Sequence, residues 1–342
     1  MGDFFSVINL EVMKKQSVCD VVLMKRLNFA SSKMSRAMMN QKQKDDVLAR
    51  LSDTVRQLSG DQSRFEYIPQ QEVRLPDVQK LRELVEHVKH IVFPGYFNEA
   101  GIGEATRGYY IGVEVERLFL LLKEQIGLGL HSFQPDVPAG VKAAAVTKTL
   151  AFIDALPELK RMLNTDVKAV YDGDPAAKSF EEIIFCYPAI LAVIHYRIAH
   201  LLLQLEVPVI PRIITEMAHS QTGIDIHPGA QIGEYFSIDH GTGIVIGETC
   251  IIGSHVRLYQ GVTLGAKSFK YDDEGNILNV PRHPILEDYV TVYSNASILG
   301  RITIGHHSIV GGNIWQTESV PPYSQVVQRK AQSMQLMDGA GI

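Results

Sequence analysis

Between Ile226 and Ile314 apolar residues recur every six positions. Ile226, Ile232, Ile238, Ile244, Cys250, Val256 and Val262 make one register, and Ile246, Ile252, Leu258 and Leu264 make a second. After an interruption both resume, as Val292, Ile298, Ile304, Val310 and as Val290, Ala296, Ile302, Ser308, Ile314, with glycine at 233, 247, 253, 265, 305 and 311. This period predicts a parallel β-helix, in which each short strand turns one aliphatic side chain inward and bends at a small residue. The interruption, Lys267 to Pro281, contains Asp272, Asp273, Glu274, Gly275 and Asn276 and predicts a loop extruded from the coil.

Upstream the period is helical. Leu81, Leu84, Val85, Val88 and Val92 share one face after Pro76 and Asp77, a start signal. Ile111, Val115, Leu118, Leu122 and Ile126 make a second stripe, and Val146, Leu150, Ile153 and Leu156 a third. Val167, Val170 and Tyr171 end a fourth before the turn Asp172-Gly173-Asp174-Pro175. Phe180 to Leu205 predicts a buried helix that Pro188 kinks or interrupts. The pattern thus divides the chain into an N-terminal extension, partly helical (1–75), an α-helical domain (76–220), a β-helical domain with the extruded loop 267–281 (221–322) and a flexible tail (323–342).

Composition narrows the partners. A net charge of -5, with no basic stripe interleaved with aromatics, argues against nucleic-acid binding. The most apolar stretch holds Glu181, Glu182, His195, Arg197 and His200, which argues against a membrane span. No secretory signal pattern opens the sequence. Cys19, Cys186 and Cys250 are odd in number and far apart, as reduced thiols of a cytoplasmic protein would be, and no metal site is expected from them.

Some polar residues exceed what a β-helix needs. Asp239 and His240 lie in a polar turn between apolar positions, His283 follows the extruded loop beside Arg282, and Asp225 and His227 lie in the first coil. An imidazole is the natural general base near neutral pH, and a carboxylate fixes its tautomer. Asp225 lies about one coil upstream of His240. Arg282 can grip a carboxylate bidentately, while Asp174 and Asp239 supply negative charge for an ammonium group. Together they suit a small zwitterionic acceptor.

These residues carry a family resemblance. Asp174-Pro175-Ala176, His195 to His200, Asp225-Ile226-His227-Pro228, Asp239 to Thr249, Gln260 to Gly265 and Arg282-His283-Pro284 stand in the order found in serine O-acetyltransferases, the enzymes that open cysteine biosynthesis. The region Asp174 to Val320 is similar to that family. The resemblance implies a left-handed β-helix and transfer of acetyl from acetyl-coenzyme A to the L-serine hydroxyl, giving O-acetyl-L-serine and coenzyme A. It further implies His240 as base with Asp225 as its partner, and His283 at the same centre. Arg282 and His283 would hold the serine carboxylate, and Asp174 and Asp239 the ammonium. Gly265, Ala266, Ser294 and Gly312 would line a coenzyme groove between subunits of a homotrimer, which can pair into a hexamer. L-Cysteine is implied as feedback inhibitor, and the C-terminal Ile342 as a handle for O-acetylserine sulfhydrylase. No metal is implied.

Four departures from the family pattern stand out. Ala266 adds a methyl where the family has glycine, the extruded loop is long, Tyr293-Ser294 replaces smaller residues, and the helical region before Thr165 is long and matches the family poorly. Three other readings share the scaffold: a transferase for a sugar, a homoserine-like amino acid or a xenobiotic; a zinc enzyme of the β-helical carbonic anhydrase kind; and a non-catalytic scaffold. The zinc reading needs histidines about 18 residues apart in neighbouring coils. No two of His227, His240 and His255 have that spacing.

Overall fold

The computed structural model describes residues 41–59, 74–97, 102–133 and 140–328. The chain divides into two compact units, 1–72 and 73–342. In the first, helix α1 (Gln41–Ser59) is solvated along most of its length and carries an Arg50–Asp46 ion pair one turn apart.

The second unit starts with helices. Asp77 caps α2 (Val78–Val92) by accepting from the backbone N–H of Gln79 and Lys80, which satisfies donors the first turn leaves open. Leu81, Leu84, Val85, Val88 and Val92 are all buried, as the period requires. In α3 (Glu104–Phe133), Leu118, Leu122 and Ile126 are buried, with Ile111 and Val115 packed at the margin of the core. Helix α4 (Val141–Asp154) departs from its expected stripe: it buries Ala145, Thr149 and Phe152, while Leu150 is 48% exposed. The true face was masked by its threonine, whose hydroxyl donates to the Ala145 carbonyl at 2.7 Å and so enters the core without an unpaired polar atom.

After α5 (Leu156–Gly173), Pro188 splits the long apolar stretch into α6 (Phe180–Cys186) and α7 (Pro188–Gln204), bent by 73°. Among the described residues, no single helix is long and apolar enough to cross a membrane. Helix α8 (Ile210–Thr222) ends at Gly223, whose φ of 70° turns the chain into the first strand.

Among the described residues, fourteen short strands then wind into a prism with three parallel sheets. Sheet A holds β1 (Asp225–Ile226), β4 (Val245–Ile246), β7 (Thr263–Gly265), β10 (Ser297–Leu299) and β13 (Trp315–Gln316). Sheet B holds β2 (Gln231–Ile232), β5 (Ile251–Ile252), β8 (Ile285–Leu286) and β11 (Thr303–Ile304). Sheet C holds β3 (Ser237–Asp239), β6 (Arg257–Tyr259), β9 (Thr291–Val292), β12 (Ile309–Val310) and β14 (Gln325–Val326). The members of both hexapeptide registers lie at strand or corner positions of the coil, and nearly all of them are buried. At the corner between sheets B and C, Tyr235, His255, Tyr289, His307 and Tyr323 stack face to face at 4.4, 4.6, 4.6 and 5.1 Å. All five have φ between 55° and 60°, a left-handed conformation that bulky residues otherwise avoid.

The coil is irregular in two places. Inward strand positions run Ile226, Ile232, Ile238 and then Ile246, so the register slips by two residues across Asp239 to Gly243. A single uninterrupted six-residue count through Ile244 therefore joins strand positions to corner positions. The other irregularity is the excursion between β7 and β8, which forms a small hairpin bridged by Tyr271 and Ile277. The Asp272 carboxylate closes it by accepting from the backbone of Glu274 and Asn276.

The helices grip the first coil through α7. Arg197 lies on Asp166 of α5 with two contacts of 3.0 Å and also donates to the carbonyls of Ile232 and Gly233. Asp166 accepts in addition from the Phe236 amide at 3.1 Å. The Tyr196 hydroxyl donates to the Ala230 carbonyl at 2.7 Å, and the His200 Nδ1 lies 2.8 Å from the Pro228 carbonyl.

Candidate active site

Chemistry-bearing side chains gather at two corners, on opposite edges of sheet A. The first is the lengthened corner between sheets C and A. There His240 sits at φ 58° with its side chain 74% exposed, followed by Gly241 and Gly243 with φ of 94° and 81°. The two extra residues and the left-handed turn lift the imidazole off the prism. Its Nε2 lies 3.8 Å from Asp239 Oδ1.

Beside it, Asp174 ends helix α5. Its carboxylate accepts from the Tyr187 hydroxyl at 2.7 Å and from the Ala176 amide at 2.8 Å. The Tyr187 hydrogen bond, then the Ala176 amide, hold this carboxyl below the usual range, and Asp174 in turn pushes the Tyr187 phenol up to about 12. Arg257 lies over Gly173, donating to its carbonyl at 2.9 Å, so a side chain at that glycine would collide with the guanidinium. Asp174, Tyr187, Asp239 and Arg257 line one narrow pocket. Gln260 follows Tyr259, the residue stacked in register on Asp239, and its Oε1 is the buried side-chain oxygen left without a partner among the described residues.

The second corner lies between sheets A and B. His283 Nδ1 accepts from the Thr249 amide at 3.0 Å, and Thr249 Oγ1 accepts from the Arg282 and His283 amides at 2.9 and 3.1 Å. Burial, then the neighbouring Arg282 guanidinium, push the His283 imidazole down to about 4. At neutral pH the ring is therefore uncharged, with its proton on Nε2. Arg282 donates to Glu248 at 2.7 Å, which holds the guanidinium in place. Glu248 and Thr249 position this corner although only their neighbours drew notice as site residues. The available signal was a Glu-Thr pair directly after the corner glycine Gly247.

Two results test this corner. A Cβ on Gly247 would lie 2.1–2.2 Å from the His283 ring, so the glycine is what lets the imidazole sit there. Gly247→Ala should leave the circular dichroism spectrum unchanged and lower kcat/KM on the order of 10²-fold by displacing His283. Wild-type kcat/KM in that variant would remove His283 from the site. Proton NMR should also show His283 titrating at about 4. The folded value lies below the unfolded value of about 6.5, so the unfolded chain binds the extra proton between them. The stability from this group is complete above that range and is lost as pH falls toward 4; titration near 6.5 would contradict it.

The structure does not bring every expected pair together. No hydrogen bond or ion pair joins Asp225 to His240. Asp225 lies on sheet A, its carboxylate within 4.8 Å of groups on Glu216 and His219 of α8. The carboxylate nearest to His240 is instead that of Asp239. The four expected coenzyme residues flank sheet A at different heights: Gly265 and Ala266 where the chain leaves β7, and Ser294 and Gly312 on the other edge, where Gly312 packs on the Ser294 carbonyl. Beside Ala266 a pocket of about 340 Å³ is lined by Lys267, Lys270, Arg282 and Arg301, a cationic set that the sequence reading did not assemble. Ile342 lies outside the described residues.

A helical cap on a left-handed prism of short parallel strands, with an imidazole at one corner and an arginine–histidine pair at another, is the architecture of hexapeptide-repeat acyltransferases. No protein-family model matches the chain. It is 45% identical to the plasmid serine acetyltransferase of Synechococcus elongatus over 305 residues, which cover 87% of this chain and 94% of that protein. It is 42% identical to the serine acetyltransferase of Bacillus subtilis over 167 residues, 49% of this chain and 73% of that one. The crystal structure of serine acetyltransferase isoform 3 from Entamoeba histolytica, in complex with cysteine, superposes with a TM-score of 0.63 at 30% identity, covering 86% of this chain and 96% of that chain. The chain belongs to the serine acetyltransferase family.

Proposed function

We propose that this enzyme transfers acetyl from acetyl-coenzyme A to the hydroxyl of L-serine with His240 as general base, the first step from serine toward cysteine. The observation that carries this reading is the division of charge across sheet A: carboxylates beside the imidazole at one edge, Arg282 and His283 at the other. An amino acid needs both signs, and the acceptor hydroxyl needs the base. The Arg282 guanidinium and the Nε2–H of His283 bind the serine carboxylate, while Asp174 and Asp239 bind its ammonium group. His240 takes the hydroxyl proton as the oxygen attacks the thioester carbon. The tetrahedral adduct collapses, the C–S bond breaks, and the leaving thiolate takes the proton from the imidazolium. Lys267, Lys270 and Arg301 of the pocket beside Ala266 suit the phosphates of the coenzyme. Asp225 is assigned to orient His240; comparison of Asp225→Asn with Asp239→Asn decides which carboxylate does so.

Because the two half-sites occupy opposite edges of one sheet, a second copy is assigned to close the site, in a homotrimer or a pair of trimers. The deciding assay is thiol release from acetyl-coenzyme A with L-serine, L-homoserine and a sugar panel. L-Serine should be the preferred acceptor, and L-cysteine, with the same ammonium and carboxylate, should inhibit in competition with it. Preference for a sugar, or cysteine inhibition that excess serine does not relieve, would overturn the assignment of these charges.

A further inference from the structure

The helical domain carries a group of side chains that acetyl transfer does not use. His87 and His90 are three residues apart on α2 and share one face of that helix. Glu114 of α3 reaches between them: its Oε2 lies 2.7 Å from His87 Nδ1 and 3.3 Å from His90 Nδ1. Its other oxygen, Oε1, accepts from Arg117 at 3.0 Å. Glu114 is nearly fully buried, whereas the two rings are 21% and 23% exposed. One atom from each of the three residues lies within 4.8 Å of the others.

We propose that His87, His90 and Glu114 bind a divalent transition-metal ion, zinc foremost, between α2 and α3. Two imidazole nitrogens and one carboxylate oxygen are a donor set that zinc takes with a fourth position left open. Imidazole disfavours magnesium and calcium, which take oxygen ligands. Zinc holds such atoms at about 2.0–2.2 Å, which sets tetrahedral neighbours roughly 3.3 Å apart. The His90–Glu114 pair, at 3.3 Å, already has that separation, the His87–Glu114 pair, at 2.7 Å, must open by about 0.6 Å, and the two ring nitrogens lie within 4.8 Å of each other. Both rings turn Nδ1 toward one carboxylate oxygen. A single cation there satisfies all three atoms at once, with the ring protons moved to Nε2. Arg117 stays on Oε1 and orients the carboxylate from behind, leaving Oε2 for the ion. The partly exposed ring edges leave the fourth position open to water. Because α2 also packs on α7 and α8, the ion would brace the helical domain, and no step of acetyl transfer passes through it.

The test uses the full chain, stripped by a chelator and titrated with zinc alone in a calorimeter. One saturable equivalent is expected, weakened more than about tenfold in His90→Ala and in Glu114→Gln. A second donor group, Glu216, His219 and Asp225, lies within 4.8 Å on α8 and β1, so His219→Ala is the control and should keep the equivalent. Cobalt added to His219→Ala should give the visible absorption of a tetrahedral nitrogen- and oxygen-ligated ion, a readout that needs no change at the ligands. Zinc should also raise the melting temperature of that control and not of His90→Ala. Absence of a saturable equivalent, binding indifferent to His90→Ala, binding lost in His219→Ala, or an octahedral cobalt spectrum each overturns the proposal and leaves the triad as a hydrogen-bonded clasp.

Discussion

His240→Asn is expected to lower kcat by ~10²-fold or more while the melting temperature and both KM values stay near wild type. Asparagine is the better replacement than alanine. His240 has φ 58°, a left-handed conformation that asparagine tolerates and alanine resists, so the substitution removes the base without straining the corner. The side chain is 74% exposed, and little packing is lost with it. The imidazoles of His283 and His227 cannot take over. His283 and His227 both accept a backbone N–H at Nδ1, from Thr249 and Gly229, so each neutral ring carries its proton on Nε2 and has no basic nitrogen left to offer. Steady-state kinetics by thiol release gives the answer: a kcat within a few-fold of wild type means that His240 is not the base.

How much of this was legible in the sequence depends on whether the signal is local. The β-helix was legible because a coil repeats itself: the inward aliphatics Ile252, Leu258 and Leu264 need only their own spacing to be recognised. The kink at Pro188 was legible because the ring cannot continue a helix. The slip of register at His240 was not, since the apolar residues on both sides, Ile238 and Ile244, happen to stand six apart, and the pairing of Ile246 with Ile226 reveals the two extra residues. The face of α4 was hidden for a different reason, because Thr149 counts as polar in a pattern but satisfies its hydroxyl within its own helix. At the candidate site, residue types were readable and contacts were not. Asp225 lies one coil from His240 in sequence, yet its carboxylate turns to Glu216 and His219 of a helix whose packing no spacing encodes. The Glu248–Arg282 pair and the Thr249–His283 pair likewise span the extruded loop and form only once the coil closes.

Asp166→Ala should cost about 3–5 kcal/mol, because it leaves the Arg197 guanidinium buried without its counter-charge. Side-chain exposures of 6% and 0% put this pair out of reach of water, and its geometry is bidentate, so neither group can relax into solvent. The loss reaches beyond the pair. The Asp166 carboxylate also accepts from the Phe236 amide, and Arg197 holds the carbonyls of Ile232 and Gly233, so the first coil and the helices lose their shared anchor together. For a folded unit of this size the melting temperature should fall on the order of 10 °C. Replacing both partners, as Asp166→Leu with Arg197→Met, should recover much of the loss, since two apolar side chains need no charge compensation. Catalytic residues do not touch this anchor, so kcat well below the melting transition should match wild type in both variants. A melting temperature within about 2 °C of wild type for Asp166→Ala would show that solvent reaches the guanidinium. A double variant no more stable than the single one would show that the backbone contacts, and not the ion pair, tie the helices to the coil.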